Sequence, residues 1–281
     1  MKGSKQVCHS GKWKVSGFAY LMEQGGEAMA RVLSVNVGQA RDFDYNGRPA
    51  KSAIWKSPVA GRIAARGVNL EGDDQADRKA HGGPDKSVYA YAIEDVRWWE
   101  EKLGRALQYG EFGENLTTEG IAVNDALVGD RWEIGTAVFE VSEPRIPCWR
   151  LGVRMNDQGF VRRFTEALRP GTYLRIIVEG AVGAEDEIRI IERPAHDLTV
   201  RDIFRIYTRD REEIERLLTV PCISESWRAW AQHFLEETRA RRAASATPGC
   251  WVRLRVTGLV NASSLLKILH DLRQRPRSDW R

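Results

Sequence analysis

The sequence predicts a mainly β protein of the α+β class, a barrel-like sheet with peripheral helices followed by a small three-helix appendage. Two observations support this prediction. Short stretches of alternating and β-branched residues recur between turn signals from residue 29 to residue 194. After Pro194 the apolar residues change to helical spacing. A chain of 281 residues with 42% hydrophobic residues is long enough to bury such a core.

The predicted strands account for most of residues 29–194. In the first, ARVLSVNVG, alternation places Leu33, Val35 and Val37 on one face. The Asn-Gly pair of YNGR (45–48) predicts a hairpin turn. Further strands are predicted for SAIWKSPV (52–59), RIAARGVNL (62–70), DRWEI (130–134) and AVFEVSE (137–143), and a strand pair for TYLRIIVEG (172–180) with DEIRIIER (186–193).

Helices are predicted between the strands and after them. Residues 94–107 are amphipathic, and another helix contains Phe160 and Phe164. Thr199 followed by Asp202 resembles a capping box and opens the C-terminal helices. The predicted organisation is a leader (1–28), a β domain (29–194), a three-helix segment (195–240) and a basic tail (241–281).

Composition excludes several classes of protein. Residues 239–281 carry ten Lys and Arg against two Asp, which leaves residues 1–238 with 33 basic and 37 acidic residues, a net charge of −4. Because the basic excess lies in a tail rather than on a folded face, we expect no nucleic-acid partner. No apolar stretch is long enough for a membrane span or a secretory signal, so we expect a cytoplasmic protein and no membrane partner. Four scattered cysteines argue against a disulfide scaffold.

A first polar loop, within residues 70–91, combines glycine with charged residues. Glycines let the backbone approach a ligand and expose successive N–H groups that can bind an anion. A solvated turn held by Gly-Gly-Pro is the structural alternative. The candidate binding residues are Gly72, Asp73, Lys79, His81, Gly82, Gly83, Asp85 and Lys86.

A second polar loop, YGEFGENLTTEGI (109–121), supplies four more candidates. An asparagine carries both a donor and an acceptor, so Asn115 can read the edge of a heterocycle, or alternatively stabilise a turn. The candidates of this loop are Phe112, Gly113, Glu114 and Asn115.

The third segment, EPRIPCWRLG (143–152), fixes a cysteine beside positive charge. Pro144 and Pro147 restrict the backbone around Arg145, so the direction of the Cys148 thiol is largely set. Nearby arginine favours the thiolate, which binds soft metals and attacks electrophiles. The alternatives are a buried core cysteine and a cysteine hydrolase with His81 as its base.

Four segments in order resemble the molybdenum cofactor sulfurase C-terminal (MOSC) domain, in the YiiM-type subgroup with three helices after the barrel. They are GDDQADRKAHGGPDKSVYAY (72–91), FGENL (112–116), GD (129–130) and EPRIPCWRLG (143–152). The resemblance implies a MOSC-type β-barrel and a molybdenum–molybdopterin cofactor. It implies that Cys148 ligates molybdenum, that Arg145 helps to bind the anionic cofactor, and that the two polar loops line the pterin pocket.

The resemblance also implies an activity, the reduction of N-hydroxylated bases of the 6-hydroxylaminopurine type. The alternative is a cofactor carrier or sulfur-transfer protein that uses Cys148. Residues 249–272 resemble the start of a flavin- and iron–sulfur-containing reductase module, but the cysteine cluster of such a module is missing. We therefore expect an external flavin or iron–sulfur protein as the electron donor.

Overall fold

A computed structural model describes residues 29–76 and 82–246 of the chain. In this part the chain forms thirteen strands, six α-helices and two 3-10 helices, at Pro84–Lys86 and Arg211–Glu213. The strands are β1 (Arg31–Val37), β2 (Arg41–Tyr45), β3 (Arg48–Ser52), β4 (Ser57–Pro58), β5 (Ile63–Arg66), β6 (Asn69–Leu70), β7 (Val88–Ala92), β8 (Leu116–Glu119), β9 (Arg131–Ile134), β10 (Ala137–Pro144), β11 (Thr172–Val178), β12 (Gly180–Val182) and β13 (Ile188–Glu192). The helices are α1 (Ile93–Leu103), α2 (Trp149–Arg154), α3 (Phe160–Ala167), α4 (Val200–Thr208), α5 (Glu215–Leu218) and α6 (Glu225–Ala246).

An eight-stranded sheet in the order β13-β9-β10-β11-β7-β8-β1-β4 forms the main body. Its neighbouring strands are antiparallel except β7 and β8, which are parallel. Val32 N donates to Asp186 O at 2.9 Å, and Ile188 N donates to Ala30 O at 2.7 Å. Because β1 thereby pairs with the residues that lead into β13, the sheet closes on itself. The predicted barrel with peripheral and C-terminal helices is confirmed.

The predicted hairpin is confirmed at β2 and β3, which pair through the turn at Asn46 and Gly47. Both turn residues have positive φ, 55° and 75°, as the tight turns between twisted strands require. The predicted pairing of β11 with β13 is wrong. The segment between them forms β12, which pairs with β5, so β11 pairs with β10 and β7 while β13 pairs with β9.

The first strand is confirmed, and the predicted face holds for Val35 and Val37 but not for Leu33. Val32 and Val35 lie together in the main hydrophobic core, whereas Leu33 packs against a separate aromatic cluster. The register of β1 against β8 shifts between Val32 and Ser34. A bulge of this kind adds one residue to a strand and moves the following side chains to the opposite face.

The main core is continuous between the barrel and the C-terminal helices. Barrel residues such as Trp132 and Phe139 belong to the same buried cluster as Ile203 and Leu217. The aromatic cluster lies between β7, α1 and α3 and contains Trp99, Phe112, Phe160 and Phe164 among others. The C-terminal helices therefore pack directly on the barrel, and the domain boundary at residue 194 stays a prediction.

The C-terminal helices begin as the sequence predicts. The Thr199 side chain accepts a hydrogen bond from Asp202 N, and the Asp202 carboxylate accepts one from Thr199 N, which completes the capping box. α6 continues to Ala246, beyond the predicted end of the three-helix segment. None of the helices in the described residues is long and apolar enough to cross a membrane.

Candidate functional site

A pocket opens beside the end of β10 and collects residues from all three polar segments. Its empty volume is about 690 Å³ with its open mouth included. The described residues that line it are Ser52, Ala53, Ile54, Lys56, Asp73, Asp74, Gln75, Ala76, Lys86, Ser87, Tyr89, Gly113, Asn115, Arg145, Ile146, Cys148, Arg150 and Tyr173.

Cys148 lies at this pocket, between the end of β10 and the start of α2. Its backbone is extended, with φ −130° and ψ 174°, and Pro147 restricts the approach of the chain. The thiol is half-buried and lines the pocket, so a core cysteine is not what the structure contains. Cys222, the other cysteine among the described residues, instead donates its thiol hydrogen to Val128 O at 3.1 Å.

Arg145 is the most unusual charge of the pocket, because its side chain is only 6% exposed. Its guanidinium carbon lies 5.5 Å from the ring centre of Tyr89 and 5.6 Å from that of Phe164. Nη1 is buried and has no hydrogen-bond partner among the described residues. Since an unsatisfied buried cation is costly, its place at a pocket indicates a site for an anion.

Arg145 remains charged in this buried position. Burial works against the charged form of the guanidinium, but the oxygens of Tyr89 and Tyr173 and the sulfur of Cys148 raise the pKa of Arg145 above its ordinary value.

Lys86 provides a second cation, held by a buried carboxylate. Lys86 Nζ lies 3.3 Å from Glu143 Oε1, and Ser224 Oγ donates to Glu143 Oε2 at 2.9 Å. Burial alone would lower the pKa of Lys86, but Glu143 raises it, so the lysine stays protonated. Because Ser224 precedes α6, the C-terminal helical segment helps to fix this side of the pocket.

Lys56 and Asp73 form a buried ion pair on the other side of the pocket. Asp73 Oδ1 also accepts from Gly38 N at 2.8 Å, and Asp73 Oδ2 accepts from Asn115 Nδ2 at 2.9 Å. Burial lowers the pKa of Lys56, and the attraction of Asp73 offsets this only in part. Asp73 is thus a predicted site residue that the structure places at the pocket.

Asn115 lines the pocket, but its side chain is engaged inside the protein. Asn115 Oδ1 accepts from Tyr89 N at 3.1 Å. Nδ2 donates to Asn36 O at 3.2 Å and to Asp73 Oδ2. These contacts link β7, β1 and the first polar loop, so in the structure Asn115 holds the site together. Its predicted contact with a heterocycle stays a prediction.

The neighbours of Asn115 in the second polar loop are mostly structural. Gly113 lines the pocket with φ 79°, and a Cβ there would lie 2.8 Å from Ile54 Cγ1. Phe112 is fully buried in the aromatic cluster. Glu114 is also fully buried, and its carboxylate accepts from Gly110 N, Phe112 N and Thr117 Oγ1. Burial raises the pKa of Glu114 to about 7.

The remaining predicted residues of the first polar loop lie at its edges. Gly72 has φ 80° and Gly83 N donates to Gln75 Oε1 at 3.1 Å. Asp85 Oδ1 accepts from Arg175 Nε at 2.5 Å. Gly72, Gly82, Gly83 and Asp85 are not among the described lining residues, and Lys79 and His81 lie outside the described residues.

Sequence reasoning missed eight polar or aromatic residues of the pocket: Ser52, Lys56, Asp74, Gln75, Ser87, Tyr89, Arg150 and Tyr173. Tyr89 and Tyr173 lie in strands, where aromatic residues are expected for packing alone. Lys56 had a usable signal, because it directly follows the apolar stretch Ala53–Trp55 and a lysine is rarely buried without a partner.

The residues present fit an anionic cofactor that carries a soft metal. Among the described residues, no three His, Cys, Asp or Glu side chains lie together as a metal site. A metal bound by Cys148 would therefore take its other ligands from a cofactor. Nη1 of Arg145, which no described residue partners, would meet the negative charge of such a group.

A family model described as the MOSC domain matches residues 77–189. The uncharacterised protein YflK of Bacillus subtilis is 36% identical over 201 residues, which cover 70% of this chain and 91% of that protein. Protein YiiM of Escherichia coli is 31% identical over 187 residues, covering 64% of this chain and 82% of the relative.

Two further similarities concern a fungal protein and a solved structure. A protein of Gibberella moniliformis named reductase is 28% identical over 179 residues, 62% of this chain and 32% of its own length. The crystal structure of YiiM from Geobacillus stearothermophilus has a TM-score of 0.61 and 29% identity, and the match covers 73% of this chain and 98% of that one.

Proposed function

The chain belongs to the MOSC domain family and has a molybdenum-cofactor-associated function, and on this premise we propose that it reduces N-hydroxylated bases of the 6-hydroxylaminopurine type. The observation that carries the proposal is the pairing of two groups at one pocket. The half-buried thiol of Cys148 suits a metal. The buried guanidinium of Arg145, one nitrogen of which has no partner within the described part of the chain, suits an anion.

In this proposal Cys148 provides the thiolate ligand and Arg145 binds the anionic part of the cofactor. Lys86, fixed by Glu143, adds positive charge on the same side of the pocket. The Lys56–Asp73 pair and Asn115 hold the opposite side in place. When bound, the cofactor supplies two-electron removal of oxygen from an N–OH group, and the protein supplies binding, orientation and charge.

Oxidoreductase activity is supported by the fungal relative named reductase, although the match covers only a third of that protein. Residues 1–240 contain no glycine-rich dinucleotide motif and no cysteine cluster. We therefore expect the two electrons for each turnover to come from a separate flavin or iron–sulfur protein rather than directly from NADH.

The test is a turnover assay with protein produced in a host that makes the molybdenum cofactor, after its molybdenum content has been measured. We expect 6-hydroxylaminopurine to be converted to adenine with an artificial low-potential donor or an added flavoprotein reductase. With NADH alone we expect no conversion. Full molybdenum content without conversion would contradict the reductase and favour a cofactor carrier, which would pass its molybdopterin to an acceptor apoenzyme. Conversion with NADH alone in pure protein would contradict the external donor.

A further inference from the structure

Three tyrosines, two in β7 and one in the neighbouring β11, lie side by side with tilted rings and differ in the hydrogen bonds of their hydroxyls. Tyr89 Oη donates to Pro170 O at 2.7 Å, and Tyr91 Oη donates to Arg169 O at 3.1 Å. Tyr173 lines the pocket, and within the described part of the chain its hydroxyl makes no hydrogen bond. Of these three phenols, Tyr173 is therefore the one available to a ligand.

The ring of Tyr173 is held firmly by its neighbours. Tyr173 pairs with Glu143 of β10 on one side and with Tyr89 of β7 on the other. Its ring centre lies 5.3 Å from that of Tyr89. A hydroxyl carried by a side chain in the middle of three paired strands is positioned before any ligand arrives.

The charges around Tyr173 suit a group that gives up a proton and takes it back. Burial raises the pKa of Tyr173, while Arg145 and Lys86 oppose this rise and Cys148 and Glu143 reinforce it. The phenol is therefore protonated at neutral pH. Once it has lost its proton, the phenolate is stabilised by the guanidinium and the ammonium group beside it.

We propose that Tyr173 is the proton donor of the reduction, giving the proton of Oη to the oxygen of the N–OH group as the N–O bond breaks. This inference rests on the proposed function. The overall change is R–NH–OH plus two electrons and two protons to R–NH₂ plus water. The external flavin or iron–sulfur donor supplies the electrons, and the oxygen leaves as water with the proton of Tyr173. The nitrogen keeps the electron pair and takes its proton from solvent, which also reprotonates Tyr173.

Tyr173→Phe tests the proposal, with Tyr91→Phe as the matched control. Both remove one hydroxyl from the same group of rings, but the Tyr91 hydroxyl bonds to Arg169 O and Tyr91 is not among the described lining residues. We expect full molybdenum and pterin content in both variants. With an artificial donor, we expect kcat for 6-hydroxylaminopurine to fall roughly 100-fold or more in Tyr173→Phe, since general acid catalysis contributes factors of this size. Tyr91→Phe should keep the wild-type kcat.

A pH profile separates proton donation from a structural role. The wild-type kcat should fall at high pH as Tyr173 loses its proton, with Lys86, Arg145, Cys148, Glu143 and Tyr89 as the charged and titratable groups that face it. Tyr173→Phe should lack this fall. Wild-type kcat in Tyr173→Phe would overturn the proposal. Loss of molybdenum from that variant would also overturn it, because Tyr173 would then be a cofactor-binding residue.

A binding measurement keeps the proposal testable if the reductase activity itself fails. In oxidised protein without a donor, the ratio of the Kd values for adenine and 6-hydroxylaminopurine reports recognition of the N–OH oxygen. We expect Tyr173→Phe to lower this ratio about tenfold, because the variant loses one hydrogen bond to 6-hydroxylaminopurine and none to adenine. If wild-type protein shows no turnover, the proposed function fails. An unchanged ratio would then also show that Tyr173 does not bind the N–OH group.

Discussion

Two sides of one pocket differ in whether their polar atoms have partners. On the Asp73 side, formed by Lys56, Asp73 and Asn115, both charges are paired and the amide donates and accepts within the protein. On the Cys148 side, formed by Arg145, Cys148 and Tyr173, Nη1 of the arginine and the tyrosine hydroxyl have no partner in the described chain.

This difference in hydrogen-bond partners indicates which side of the pocket stabilises the fold and which side binds a ligand. A buried polar group that is satisfied inside the protein stabilises the fold and has little left to offer a ligand. A buried polar group without a partner costs stability until a ligand arrives. The Asp73 side therefore matters first for folding, and the Cys148 side first for binding.

Breaking the pair on the Asp73 side should have the largest effect on stability. Asp73→Ala leaves Lys56 buried without its carboxylate, and we expect a loss of about 3–5 kcal/mol in the free energy of unfolding. The Lys56→Met/Asp73→Ala double variant should lose clearly less than the sum of the two single variants, because no charge is then left unpaired. Urea unfolding of the four proteins measures this. Additive losses would show that the pair is not coupled.

Glu114, behind the Asp73 side, should make stability depend on pH. Its pKa is raised by burial from 4.5 to about 7, so the folded protein binds the proton more tightly than the unfolded chain. Protonated Glu114 therefore stabilises the folded state, and this contribution is complete below pH 4.5. The free energy of unfolding falls by at most about 3 kcal/mol as the pH rises through 7. In Glu114→Gln this decline should disappear, while it should persist in Glu101→Gln, at an exposed position of α1. Parallel pH profiles for wild type and Glu114→Gln would contradict the assignment.

Removing the charge from the Cys148 side should have the smallest effect on stability. In cofactor-free protein, Arg145→Met should unfold within about 1 kcal/mol of wild type, since Arg145 has no ion pair with any described residue and the space is filled. In protein from a cofactor-producing host, the same variant should retain less than a tenth of the wild-type pterin. Arg145→Lys, which keeps the charge, should retain an intermediate amount. A large loss of stability with normal pterin content would show that Arg145 supports the fold and does not bind the cofactor.

The features that sequence predicts well here depend on near neighbours in the chain. The Asn46-Gly47 turn and the Thr199–Asp202 cap are set within four residues, and both are confirmed. The placement of Cys148 and Arg145 at one pocket could also be predicted, because Pro144 and Pro147 restrict the backbone of the same short segment.

The features that sequence did not predict depend on distant partners. Lys56 becomes a pocket residue only through Asp73, and Asn115 is engaged only because Asn36 and Tyr89 reach it from two other strands. The face of β1 depends on a bulge against β8, which alternation within β1 cannot reveal. Contacts across a closed sheet are set by register, and register follows from all the strands together.

The central claim is that the Cys148 side holds molybdenum through its thiol, and metal analysis of Cys148→Ser tests it most directly. Serine is nearly the same size, so the free energy of unfolding should stay within about 1.5 kcal/mol of wild type. Cys222→Ser is the matched control, because a hydroxyl can still donate to Val128 O. We predict that Cys148→Ser lacks molybdenum while wild type and Cys222→Ser contain it in equal amounts. Full molybdenum content in folded Cys148→Ser would contradict the account.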